Sequence, residues 1–386
     1  MISVPSGERL NSMGSVFGRN LKISVFGESH GPAVGVVIDG LPPGFPVDFD
    51  NISGEMERRR PKAAVYSTKR QEPDEVEILS GIYNGRTTGT PLCAVIMNRD
   101  AKSGDYDDTA SLARPGHADY SGYARYKGFN DVRGGGHFSG RLTAPIVFAG
   151  AIATQILGSR DIIIGSHIDS IHDMKDVGFD LADITKEQLL ALRKMDIPVN
   201  DRSCGDEYLK IISDAQKDAD SVGGVVETAV IGIKAGLGSP MFDNVESGLS
   251  SILFSIPAVK GVEFGAGFGI TTMYGSQAND SFYMDGGRVL TRTNNNGGIN
   301  GGITNGMPIV FRVAVKPTPS IAREQNTVNM KYGTNDRIRI RGRHDACIVP
   351  RVVPVIEAAA AIAILDMLIG QYGLESFMEE NRGDEK

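Results

Sequence analysis

Residues 114–141, RPGHADYSGYARYKGFNDVRGGGHFSGR, hold two histidines, four arginines and seven glycines in twenty-eight positions, with hardly an aliphatic side chain. Imidazoles move protons near neutrality, and guanidiniums grip carboxylate and phosphate in two-pronged fashion. Glycine brings main-chain amides close to a ligand and allows them to converge on it. This mixture suits acid–base chemistry on a small anion better than it suits packing. Three more glycine knots occur, FGESHGPAVG, EFGAGFG and NNNGGINGGITNG. Glycine makes up 48 of 386 residues, about 12% against a usual ~7%. It is gathered in the knots, with no collagen period or solenoid repeat.

Arginine outnumbers lysine 25 to 15 and follows the same geography. Arg58, Arg59 and Arg60 end a short helical stretch. Arg114, Arg133, Arg141 and Arg343 each stand beside a Gly or Pro turn. Three adjacent arginines usually mark a solvated face, so one or two of the first group point inward. His30, His117 and His344 lie close to these turns and are the candidate proton carriers. His167 and His172 sit in a strand-like stretch and read as structural or surface residues. No GxxxxGK[ST] is present, and Gly265, Gly267 and Gly269 miss the last spacing of GxGxxG. The residues alone thus describe a glycine-lined, Arg-rich, His-bearing pocket for a small polyanion, without naming a reaction.

Composition bounds the setting. A formal charge of −7 argues against a general nucleic-acid partner. Cys93, Cys204 and Cys347 are far apart, with no CxxC and no zinc-finger spacing, which implies a reducing compartment such as the cytoplasm and no metal. The most apolar run, VVPVIEAAAAIAILDMLIG, is interrupted by Glu357 and Asp366, so no membrane span is expected. Residues 1–12 have no signal-peptide core and read as an extension outside the fold, with Met13 a second candidate start. Residues 13–386 read as one domain.

The elements that must position the site mix strands and helices without βαβ alternation. KISVFGES and GVVIDG form a strand pair joined through HGPA. NISGEMERRR is a short helix stopped at Pro61. Residues 144–158 and 352–373 are apolar on every side and read as buried helices. Residues 184–195 and 205–221 are polar helices capped by Thr185 and Asp206. GGVVETAVIGI, AVKGVEFG and MPIVFRVAVKP are strands, and residues 241–256 a helix. The pattern favours an α+β sandwich over a doubly wound sheet.

The motifs GESHG, GLPPG, RRRP, LSGIYNGRTTGTP, RPGHADY, RGGG, GSPMFD, SIPAVKGVEFGAGF, NNGGINGGITNGMPI, KPTPSI and GRHDACIVPR occur in this order. From about residue 17 to about residue 370 the chain resembles the chorismate synthases. The resemblance implies a β-α-β sandwich, with buried helices between two antiparallel sheets. It implies 1,4-anti elimination of phosphate from 5-enolpyruvylshikimate 3-phosphate, with reduced FMN required although nothing is oxidised overall. NADPH would enter only as a source of reducing equivalents, through the chain itself or a separate flavin reductase. A homotetramer is implied, with no nucleic-acid or membrane partner. Carried over by motif, His30 protonates the departing phosphate, His117 supports the reduced flavin and Asp345 relays the ring proton. Arg59, Arg60, Arg114, Arg133, Arg141 and Arg343 grip the substrate, with Arg343 shared with FMN. The flavin side takes in His137, Phe138 and Ser139, then Pro257, Ala258 and Gly301, and finally Lys316, Pro317, Thr318, Pro319 and Ser320. One departure stands out: many members read GRSSARET where this chain reads GHFSGRLT. His137, Phe138, Gly140 and Leu142 therefore replace Arg, Ser, Ala and Glu, which removes one charge and one hydroxyl from the expected FMN-side loop at His137 and Phe138. Two alternatives stay open, a flavin-dependent redox enzyme of similar architecture and a non-catalytic polyanion-binding protein.

Overall fold

In the computed structural model, which describes residues 14–61, 73–99, 111–340 and 345–381, the alternating apolar pattern near the start becomes an antiparallel sheet. Strands β1 (Val16–Phe17), β2 (Lys22–Gly27) and β3 (Ala33–Asp39) lie side by side, with Lys22 opposite Asp39 and Gly27 opposite Val34. Helix α1 (Phe49–Arg59) begins where the Asp48 side chain accepts from the Asn51 amide at 3.0 Å, and it ends before Pro61. Strand β4 (Val76–Ser80), a small hairpin of β5 (Ile82–Tyr83) and β6 (Arg86–Thr87), and β7 (Leu92–Met97) follow. The first sheet runs β1-β2-β3-β7-β4.

The middle of the chain supplies α2 (Asp119–Tyr126), α3 (Thr143–Gly158), β8 (Ile163–Ile171), β9 (Met174–Lys175), α4 (Lys186–Leu192), α5 (Arg202–Lys217) and β10 (Gly224–Ile231). Then come α6 (Val245–Leu253), β11 (Val259–Phe264), the single turn α7 (Gly275–Ala278) and the hairpins β12 (Phe282–Asp285)–β13 (Arg288–Thr291) and β14 (Ile299–Asn300)–β15 (Ile303–Thr304). Strand β16 (Ile309–Val315), the hairpin β17 (Glu324–Asn329)–β18 (Thr334–Arg339) and helices α8 (Val349–Tyr372) and α9 (Leu374–Asn381) complete the described chain. The second sheet, β11-β16-β10-β8-β9, is also antiparallel throughout.

Helices α3 and α8 lie between the sheets, α3 toward β3 and β7, α8 toward β8 and β10. They approach closely because Gly150 has no side chain; a Cβ there would sit 2.2 Å from that of Ala358. One apolar core runs through both helices and both sheets. By length and composition alone Gly140–Gly158, which is α3 with the turn before it, and α8 could cross a membrane, contrary to the expectation that no run qualifies, but 83% and 89% of the qualifying stretches are buried inside the protein.

The two acids inside α8 explain themselves structurally. Glu357 accepts from Arg58 at 2.7 Å and Arg193 at 2.8 Å, and the same arginines hold Glu55, so α1, α4 and α8 meet on one ionic knot. Asp366 accepts from the amides of Arg19, Asn20 and Leu21 at 3.0, 2.6 and 2.8 Å and ties the start of β2 to the helix. Two local expectations change. Helix α5 starts earlier and is capped by Asp201, not Asp206, because the Asp201 carboxylate reaches the Ser203 amide at 2.9 Å. Residues 241–243 form a separate turn, and α6 begins only where Asn244 caps it.

His167 is structural, as its setting in the sequence suggests. Fully buried in β8, it lies 3.0 Å from Asp176 and 2.9 Å from Glu227, one carboxylate on each ring nitrogen. Burial alone would discharge it, but these two bonds lift it from the ordinary range near 6.5 to about 9. A folded-state value above the unfolded one contributes stability that is complete below about 6.5 and lost as pH rises through about 9. The chemical-denaturation midpoint should therefore fall steadily between those pH values. A level or rising midpoint over that interval would contradict a charged His167.

Candidate functional site

Segments far apart in sequence converge on one cavity of about 600 Å³, within the range of small-ligand sites. His30 stands between β2 and β3, residues 114–143 wrap one side, and a turn at residues 254–259 and a segment after β16 close the other. The beginning of α8 forms the floor. The first part of the wrapping loop is held by the β17–β18 hairpin, where the Ala113 amide donates to Val328 at 3.2 Å.

The triple glycine brings the two histidines together. Gly134, Gly135 and Gly136 have φ values of 59°, 100° and 53°, a conformation other residues adopt only under strain. A Cβ on Gly134 would lie 2.0 Å from Cε1 of His30, and one on Gly135 would lie 3.0 Å from Cε1 and Nε2 of His117. Consecutive bare residues thus form the bed on which both rings rest. His30 Nδ1 is 3.2 Å from Ser29 Oγ.

Each buried guanidinium has a carboxylate behind it. Asp74 sits between Arg59 and Arg141; it accepts from Arg59 at 2.7 Å and also pairs closely with Arg141. Arg59 also donates to Thr143 Oγ1 and the Gly140 carbonyl, and Arg141 to Asn98 Oδ1 at 2.9 Å. Burial draws the Arg59 guanidinium down to about 10, opposed by Asp74 and helped by Arg351 and Arg141. Burial would raise the Asp74 carboxyl, but its two arginines outweigh that and hold it below the usual carboxylate range. Arg114 makes a two-pronged bond to Asp119, and Asp345 pairs with Arg351. Among the described residues of the wall, Arg59, Arg114, Arg141, Arg351 and Lys316 face one carboxylate, Asp345. The field favours an anion.

The opposite wall combines strain with an unmet polar atom. Ala258 holds φ at 76°, and its carbonyl accepts from the Lys316 amide at 3.0 Å. The Thr318 carbonyl accepts from Ser221 Oγ at 2.7 Å, while Thr318 Oγ1 is buried with no partner. Lys316 Nζ donates to the Gly116 carbonyl, and burial, then Lys260, pushes its pKa down. Pro257, Pro319 and Ser320 complete this side.

The residues of the HFSGRLT departure are well accounted for. His137 donates from Nδ1 to the Gly27 carbonyl at 2.8 Å and lies 3.1 Å from Ser15 Oγ through Nε2. Both nitrogens being engaged, it clips the loop to β2, though its ring borders the cavity. Phe138 packs over Gly122 and tilts against Tyr126 with ring centroids 6.2 Å apart. Ser139 Oγ accepts from the Arg141 amide at 3.2 Å, and Leu142 is buried.

Some expected site residues lie elsewhere. Arg60 pairs with Glu57 and borders a separate small recess, because α1 ends with Arg59 turned inward and its neighbour outward. Arg133 pairs with Asp131 at 2.8 Å, is half exposed and does not line the cavity, while its carbonyl accepts from Ser29 Oγ at 3.3 Å. Gly301 belongs to the β14–β15 turn, and neither it nor Pro317 lines the cavity. The start of the last glycine knot is organised by Asp280, which accepts from the Asn295 and Asn296 amides at 2.7 and 2.9 Å. Arg343 and His344 lie outside the described residues. Asp74, Asp119 and Arg351 were missed as site residues. Arg351 and Asp119 stand inside quoted motifs, whereas nothing around Asp74 signals its partners.

The chain matches the family model for chorismate synthase over residues 21–369. A chorismate synthase of Dehalococcoides mccartyi (strain BAV1) is 46% identical over 361 residues, covering 93% of this chain and 96% of that protein. One from Thermococcus gammatolerans is 47% identical over 352 residues, 91% of this chain and 97% of the relative. A crystal structure of chorismate synthase aligns with a TM-score of 0.74 at 30% identity, covering 95% of this chain and 96% of the other.

The ring-on-glycine contact makes a sharp prediction. Gly134→Ala should push the His30 ring aside and reduce turnover about 100-fold, with the thermal midpoint showing that the fold persists. A folded variant with unchanged turnover would rule out His30 resting on Gly134 in the working enzyme.

Proposed function

The chain belongs to the chorismate synthase family, and we propose that its arginine-walled cavity is where 5-enolpyruvylshikimate 3-phosphate loses phosphate to give chorismate, beside reduced FMN. The enzyme is a carbon–oxygen lyase. In the 1,4-anti elimination a ring proton leaves and its C–H pair forms one ring double bond, the existing double bond shifts by one position, and phosphate departs with the C–O pair. The observation that carries the reading is the wall itself: five cations around two histidine rings. A substrate with two carboxylates and a phosphate meets charge-assisted bonds there, each contributing roughly 1.5–3 kcal/mol.

The residues also fit the flavin. Thr318 Oγ1 is a buried polar atom lacking a partner, the strained Ala258 turn lines the cavity, and Lys316 adds a cation. Thr318, Ser320 and Lys316 would hold FMN, with Pro257, Ala258 and Pro319 along its flank. When bound, reduced FMN lends electron density to the elimination and recovers it, so nothing is oxidised overall. On the protein side, His30 delivers a proton to the departing phosphate, His117 presents its ring edge over Gly135, and Asp345, held by Arg351, is the nearby carboxylate for the ring proton. Arg59, Arg114 and Arg141 orient the anion.

The setting follows from the same reading. NADPH enters only as a source of reducing equivalents for the flavin, through this chain or a separate reductase. The enzyme works in the cytoplasm, in keeping with free Cys93, Cys204 and Cys347. It assembles as a homotetramer, in keeping with Phe268, Tyr274, Phe282 and Met284, large apolar side chains all more than half exposed on neighbouring segments. Its substrate is a small polyanion, not nucleic acid or a membrane.

Anaerobic incubation with photoreduced FMN and 5-enolpyruvylshikimate 3-phosphate should release phosphate and chorismate in equal amounts over many turnovers, with no further reductant consumed. Stoichiometric loss of reductant would favour a redox enzyme; binding without phosphate release would favour a non-catalytic protein. Thr318→Val, which removes the unpartnered hydroxyl, should weaken FMN binding about 3- to 10-fold in a fluorescence titration. Unchanged affinity would remove Thr318 from the flavin site.

A further inference from the structure

We propose that Asp119, which does not line the cavity, is the positioning residue that sets both the tautomer of His117 and the aim of Arg114. One carboxylate receives Arg114 Nε and Nη2 at 2.7 Å each, the Arg114 amide at 2.9 Å and His117 Nδ1 at 2.8 Å. The loop closes around it, with the His117 amide donating to the Arg114 carbonyl at 3.1 Å. Asp119 opens α2, whose first turn favours a negative charge.

The contacts of Nδ1 conflict unless the proton is placed. Arg114 Nη2 lies 3.2 Å from Nδ1 and could donate only to a bare nitrogen. A bare Nδ1 would set its lone pair against a carboxylate oxygen at 2.8 Å. Burial would raise the Asp119 carboxyl, but its bonds from Arg114 and His117 hold it ionised, so the proton resides on Nδ1 and the Arg114 approach is a contact, not a hydrogen bond. Nε2 is then the bare nitrogen, and together with Cε1 it lies against Gly135 where His117 lines the cavity. A second, charged partner on the far side keeps a ring in one tautomer and one orientation, the role a buried carboxylate plays toward a catalytic histidine. Arg114, gripped through Nε and Nη2, cannot swing away when the cavity empties.

The consequence for turnover rests on the chorismate synthase reading; the tautomer does not, and the two are tested separately. In ¹⁵N-histidine-labelled protein, with His117 assigned by its missing signals in His117→Gln, the ring should carry its proton on Nδ1. Asp119→Asn should introduce the Nε2-protonated form and lower kcat at least about 10-fold while KM changes less; Asp119→Glu should restore part of both. A wild-type His117 protonated on Nε2 with Nδ1 bare overturns the proposal, even if Asp119→Asn fails to fold. So does a folded Asp119→Asn with unaltered tautomer and kcat. Wild-type protein that shows the Nδ1 tautomer but forms no chorismate would refute the functional reading and leave the role of Asp119 standing.

Discussion

A guanidinium is expensive to strip of water, and a wall of several would repel itself apart unless each were partly neutralised from behind. The cavity depends on this constraint. Asp74 stands behind Arg59 and Arg141, Asp119 behind Arg114, and Asp345 beside Arg351. Each carboxylate takes up part of the charge and spends its hydrogen bonds on orientation, so the guanidiniums reach the cavity with fixed direction and some positive charge unspent. Removing an acid from this arrangement would free an arginine to fold back onto other partners. A site for a polyanion therefore needs acids, placed one layer away.

The rest of the fold holds that charged layer still. Helices α3 and α8 cross tightly at Gly150 and Ala358 beneath the cavity, with Thr143 at one end touching Arg59 and Arg351 at the start of the other touching Asp345. The two acids inside α8 act away from the cavity. Glu357 draws in Arg58 and Arg193, which secures the end of α1 and so the entry angle of Arg59; Asp366 secures the start of β2, which leads to His30. A helix apolar enough for a lipid bilayer is thereby committed to a protein interior.

Glycine serves two different ends in this chain. In the triple at residues 134–136 the missing side chains are the room in which two imidazoles lie. In the knots near residues 265 and 297 the same residue closes tight turns around Glu263 and Asp280, away from the cavity. Composition registers both alike.

Local physics was legible along the chain. Unbroken apolar runs of helical length can only be buried helices, alternating runs pair as strands, Thr185 starts a helix through a bond within one turn, and Pro61, with no N–H and a restricted neighbour, stops one. The crowd of His, Arg and Gly at residues 114–141 already described an anion site, and its motifs the family. What the sequence could not decide was which charges meet. Arg60 and Arg133 look as suited to the cavity as Arg59 and Arg141, yet each pairs with an acid beside it in sequence and lies off the cavity wall, whereas Arg59 and Arg141 share Asp74. Asp74 carries no local mark, because its importance lies in two arginines reached only across the fold. Pairing energies depend on distance in space and on burial, and both come into being only when the sheets close over α3 and α8.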